Sequence, residues 1–81
     1  MTNDDVTQTV LKVITQICDT DEVLTEPDLD LFEAGIIDSM GFVELLFALE
    51  EELGLVVPPT DVDRDEVSSV NKILEFVRER L

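Results

Sequence analysis

The chain has 81 residues, enough for one domain near the lower size limit for folding without disulfides or a metal. Twenty acidic residues against five basic ones give a net charge of −15, which excludes the basic patches that nucleic-acid binding needs and favours basic protein partners. The single cysteine excludes an internal disulfide, and no apolar run approaches the roughly 20 residues that span a bilayer. No signal peptide or lipidation motif opens the sequence, so a cytoplasmic protein without membrane insertion is expected.

The first helix is expected over residues 3–18. Thr2 or Asn3 can cap it, and Asp4 and Asp5 suit the positive end of its dipole. Val6, Val10, Val13, Ile14 and Ile17 form one apolar stripe. Its β-branched residues are mediocre helix formers, so packing must supply much of its stability. Cys18 at its end reads as a small core residue rather than a reactive thiol.

Residues 19–38 form a long acidic connection, of a length that is usually functional or anchored. Val23, Leu24, Leu29, Leu31, Phe32, Ile36 and Ile37 are available as anchors. The acids do not make an EF-hand: counting from Asp19, the sixth position holds Leu24 where glycine is needed, and the twelfth holds Asp30 where glutamate is needed. No metal site is expected.

The second helix is expected over residues 39–53. Ser39 is its N-cap candidate, Asp38 sits beside its positive end, and Gly35 is a turn point ahead of it. Gly54 and the Pro58-Pro59 pair end it. On a wheel of about 100° per residue, Phe42, Leu45, Leu46, Leu49 and Leu53 share one arc, the core face. Met40, Val43 and Phe47 lie nearly opposite, flanked by Glu44, Glu50 and Glu51. A surface helix of a small domain needs only one apolar stripe, so the second is read as a docking strip, apolar in the middle and acidic at the rim. Packing beneath another helix is the competing explanation.

After an extended Val56-Val57-Pro58-Pro59, Asp63 and Glu66 have the spacing of a capping box, and a short helix is expected over 63–68. Ser69 caps a last helix running to residue 81, with Val70, Ile73, Leu74, Val77 and Leu81 as its stripe and Phe76 near one edge. Three main helices and one short one make an all-α bundle, a single domain over residues 1–81.

The stretch Leu31-Phe32-Glu33-Ala34-Gly35, Asp38-Ser39-Met40 and Val43-Glu44-Leu45 resembles the acyl carrier protein family, and the resemblance covers residues 6–80. It implies a small four-helix bundle in which Ser39 carries covalent 4′-phosphopantetheine, with Asp38 beside it. An activated acyl or aminoacyl group would be held on that arm as a thioester. It implies as partners a phosphopantetheinyl transferase, an acyl- or aminoacyl-activating ligase and an acyl transferase. Asp38-Ser39-Met40-Gly41, Asp63-Arg64 and Asn71-Lys72-Ile73 look most like the D-alanyl carriers of teichoic acid alanylation. Phe42 and Val67 depart from that pattern, and Ala48-Leu49-Glu50-Glu51-Glu52 is more like fatty-acid carriers. The Gly-Gly-x-Ser pattern of peptidyl carriers is absent. Fatty acyl, polyketide-type and D-alanyl cargoes therefore stay open.

The chemistry of the residues agrees with a carrier rather than an enzyme. A serine nucleophile needs a base, and the sequence has no histidine. A phosphodiester on Ser39 would sit at a helix N-terminus, which tolerates negative charge. Gly41, inside the first turn, is read as room for the arm or a partner, or as a tolerated small residue. A monomer is expected. The alternative outside the carrier class is an acidic interaction module with an unmodified serine.

Overall fold

The computed structural model describes the backbone from residue 3 to residue 81 and side chains from Asp5 onward. The expected cap at Thr2 or Asn3 and the placing of Asp4 lie outside the described residues. Three α-helices carry the fold: α1 (Asn3–Cys18), α2 (Ser39–Leu53) and α3 (Val70–Arg80). Short 3-10 turns stand at Glu22–Thr25, Pro59–Asp61 and Arg64–Val67, and no strand occurs among the described residues. The expected short fourth helix is the turn at Arg64–Val67. The other two 3-10 turns are additions to the expected pattern.

The bundle closes around α1, which packs against both α2 and α3. Its stripe supplies Val10, Val13 and Ile14, all buried, with Val6 and Ile17 packed at the margin. From α2 come Phe42, Leu45, Leu46 and Leu49, and from α3 Val70, Ile73, Phe76 and Val77. Two details of α3 differ from expectation. The helix stops at Arg80, so Leu81 falls beyond the stripe and is 59% exposed. Phe76, expected at the edge, is buried, with the Arg80 guanidinium 3.8 Å from its ring centroid.

The long connection between α1 and α2 is anchored, as its length requires. Val23, Leu31 and Ile37 enter the core, and Leu24, Phe32 and Ile36 pack against it. Backbone bonds fasten its middle to the start of α3. The Leu31 N–H donates to the Ser68 carbonyl at 2.7 Å, and the Asn71 N–H, a first-turn donor of α3, donates to the Pro27 carbonyl at 3.0 Å. The Asn71 amide also donates to Asp28 at 2.8 Å. Asp30 organises the following turn by accepting from the N–H groups of Phe32 and Glu33 at 3.0 and 3.1 Å. That turn runs to Gly35, whose φ of +75° is open to glycine at no steric cost.

The ends of the other helices follow capping chemistry. Gly54 is left-handed (φ +68°) and donates to the Glu50 carbonyl, closing α2. Ser69 accepts from the Lys72 N–H at 3.2 Å and starts α3. At the Arg64–Val67 turn the Asp63 N–H donates to the Glu66 carboxylate at 3.0 Å, the reach-back contact that their spacing predicts.

Candidate functional site

The cap of α2 is Asp38, not Ser39. Asp38 has extended backbone (φ −108°, ψ −170°), and its carboxylate accepts from the Gly41 N–H at 2.8 Å. Ser39 is therefore the first helical residue, one position inside the cap. The difference matters chemically. A capping serine would spend its oxygen on a backbone N–H, whereas here Asp38 performs that task and the Ser39 hydroxyl is left out of the cap. Ser39 is exposed, on an element that is buried from Gly41 and Phe42 onward along its inner face.

Gly41 explains how the loop and the helix meet so closely. It is buried, and a Cβ built on it would lie 2.8 Å from the Ile37 Cγ2, closer than real Cβ contacts come. The Asp38 carboxylate and the Ile17 side chain follow at 3.6 and 3.7 Å. The missing side chain makes room for the chain's own loop. Neither sequence reading of Gly41, room for an arm or partner or a tolerated small residue, named this internal contact with Ile37.

A residue that sequence reading did not assign to the site reaches it from the 3-10 turn Arg64–Val67. The Arg64 guanidinium, 25 positions away in sequence, donates from Nη2 to the Ser39 Oγ. The same guanidinium lies over the Phe32 ring, 5.5 Å from its centroid. Phe32 in turn meets Phe42 edge-on, with centroids 6.2 Å apart and planes at 62°. Phe42, a departure from the D-alanyl carrier pattern, is thus the buried end of a chain of contacts leading back to Ser39. The available signals were Arg64's rarity, as one of only five basic residues, and its place in the Asp63-Arg64 motif.

Of the residues predicted for the docking strip, all but Glu51 border one of two neighbouring hollows. Met40 (69% exposed) and Glu44 border a polar hollow at the start of α2, with Ile17, Gly35, Ile36 and Asp38. Val43, Phe47 (60% exposed) and Glu50 line a mostly apolar groove completed by Leu46 and by Val56 to Pro59. Val43 is half-buried and packs against the core, so it serves both sides. Glu44, Glu50 and Glu51 are exposed. Val56, 68% exposed, extends the apolar surface beyond the residues expected from the helix alone.

Elsewhere, Cys18 is half-buried against the core, and burial pushes its thiol up from the ordinary range, away from thiolate reactivity. The chemistry available at Ser39 is that of an acceptor: an exposed hydroxyl at a helix start, a cation in contact with it, and no histidine in the sequence to act as base. A phosphodiester fits these surroundings. The guanidinium offers charge-assisted donors, and the open first turn of α2 favours an anion.

Comparison with known proteins agrees with that chemistry. The family model described as the phosphopantetheine attachment site matches residues 8–77. A D-alanyl carrier protein of Bacillus velezensis is 44% identical over 72 residues, covering 89% of this chain and 92% of the relative. One from Bacillus licheniformis is 44% identical over 75 residues, covering 93% and 96%. One from Bacillus subtilis is 41% identical over 75 residues, with the same coverage.

Proposed function

The chain belongs to the family of carriers that bear a phosphopantetheine attachment site, and we propose that its arm is attached at Ser39 and that its cargo is D-alanine. Membership makes it a carrier protein with covalent 4′-phosphopantetheine. That group supplies a thiol on a long arm, on which an activated acyl or aminoacyl group is held as a thioester.

The observation that carries the attachment reading is the division of labour at the start of α2. Asp38 caps the helix, which leaves the neighbouring hydroxyl of Ser39 exposed, uncommitted to the cap and in contact with a cation. The chain has no histidine to remove the hydroxyl proton, so the base is supplied by the transferase that installs the group. The cargo reading rests on the relatives, which are named D-alanyl carrier proteins, at identities reaching 44% over nearly the full chain. It rests as well on the Asp38-Ser39-Met40-Gly41 and Asp63-Arg64 motifs.

The rest of the reading follows from this one. The protein performs no catalysis of its own and works as a monomeric single domain. It exchanges cargo with an aminoacyl-activating ligase and an acyl transferase. None of the helices among the described residues is long and apolar enough to cross a membrane, and the cytoplasm is its proposed place of work. Met40, Val43 and Phe47, with Glu44, Glu50 and Glu51 around them, are the proposed contact surface for basic partners.

Intact-mass measurement after incubation with coenzyme A and a broad-specificity transferase tests the attachment. A gain of one phosphopantetheine by the wild-type chain and none by Ser39→Ala is expected. An adduct on Ser39→Ala overturns it. Offering the modified chain to a D-alanine ligase, in parallel with L-alanine and fatty acids and their own ligases, tests the cargo. Loading of a fatty acid in preference to D-alanine overturns that part and leaves the attachment standing.

A further inference from the structure

We propose that Arg64 is a positioning residue for the root of the arm: the guanidinium that donates to the Ser39 hydroxyl becomes the partner of the phosphodiester once the serine is esterified. The inference rests on attachment at Ser39 and adds to it a residue outside α2.

Chemistry on the page dictates the exchange of partners. In the unmodified chain the Ser39 oxygen is a hydroxyl that accepts from Arg64 Nη2. Esterification makes that oxygen a bridging ester atom, a poor acceptor. It also adds two non-bridging oxygens on the phosphorus, two bonds from the serine oxygen, which share a negative charge. A guanidinium carries five N–H donors in a planar fork suited to such oxygens. The new pairing sets the cation against an anionic acceptor where the old one had a neutral acceptor, so the exchange is favourable.

Arg64 is also held for the task. Its guanidinium rests over the Phe32 ring, and Phe32 is braced by the buried Phe42. Its backbone belongs to the 3-10 turn Arg64–Val67, which is pinned by Val67, a residue with no exposed surface, and by the Asp63–Glu66 contact. A surface arginine meeting a serine by chance needs neither support. Charge gives the reason for the expense. The arm adds an anion to a chain already at −15, beside the Asp38 carboxylate, and basic residues number only five. Arg64 is the one that the structure brings onto Ser39.

The test reads the phosphorus itself. Wild type, Arg64→Gln and Arg64→Lys are converted to the phosphopantetheinylated form, verified by intact mass, and compared by ³¹P spectroscopy with a proteolytic peptide carrying the same group. The wild-type resonance is expected to stand apart from the peptide's. Arg64→Gln should return it to the peptide value, and Arg64→Lys should restore part of the displacement. Independently of any variant, the Arg64 Nε–H signal should move when the wild-type chain is modified. Coincident ³¹P shifts in modified wild type and Arg64→Gln, with an unmoved Nε–H signal, overturn this inference alone. A wild-type chain that takes no phosphopantetheine on Ser39 overturns the inference together with the reading it rests on.

Discussion

The two faces of α2 are built from the same kind of side chain and meet opposite fates. Leu45 and Leu49 have no exposed surface and Leu46 only 3%, whereas Met40 and Phe47 on the other side are 69% and 60% exposed. The inner face is covered by α1. The outer face is bordered by exposed Glu44, Glu50 and Glu51. Apolar character alone therefore does not assign burial. What separates the faces is the neighbour each one has, and a face left open at some cost in exposed apolar area is one that can be covered in a complex.

The contrast can be broken most directly at its buried side. Leu49→Ala should lose about 2–5 kcal/mol of stability, the cost of a leucine-sized deletion in a core. Thermal or denaturant unfolding measures it, and a loss well under 1 kcal/mol would mean that the inner face is not core.

Between the faces, at the helix start, Gly41→Ala pits two effects against each other. Alanine gains about 1 kcal/mol of helix propensity, but its Cβ meets the buried Ile37 at 2.8 Å. Overpacking costs about 1–3 kcal/mol, so a net loss of about 1 kcal/mol is expected. A stabilised variant would show that the loop yields easily. Val43→Ala, cut from the half-buried margin, should lose about 1 kcal/mol, as its removed methyl groups are partly in the core.

On the open face Phe47→Ala should change stability by no more than about 0.5 kcal/mol, against about 3–5 for a buried phenylalanine. Its loading by a partner ligase should slow markedly. Equal unfolding of Phe47→Ala and Leu49→Ala would erase the distinction between the faces. The smallest stability effect is expected for Glu51→Lys, within about 0.5 kcal/mol. Its association with a basic partner should slow at low ionic strength, and the defect should shrink as salt screens the charges.

How much of this was legible depended on range. The three helices, the Ser69 cap and the Gly54 stop lie in local pattern, and the sequence carries them in its apolar spacing and its cap residues. Six of the seven expected anchors of the long connection were legible too, Leu29 staying half-buried outside the core. The cap of α2 was read one residue late. Asp38 and Ser39 are both good cap residues, and only the extended backbone at Asp38 decides between them. The turn Glu22–Thr25 is a single 3-10 turn, too short to show a period. Leu81 fits the α3 stripe by spacing but falls past the last helical turn. Arg64 stood out in the Asp63-Arg64 motif, but its contact with Ser39 was beyond reach, since it crosses 25 positions.

The placing of the cap on Asp38 has a consequence for the order of events in the protein's life. Had the serine oxygen closed the helix, every modification would have removed a fastening, and the modified chain would have been less stable by about 1 kcal/mol, the cost of a lost cap. With the fastening on the neighbouring carboxylate, the new chain completes α2 before any transferase arrives. A transferase then meets a finished surface, and removal of the group would return the same surface. On the proposed attachment at Ser39, the carrier keeps the same helix cap whether armed or stripped, and Ser39→Ala is a substitution that should silence the chemistry while keeping that cap.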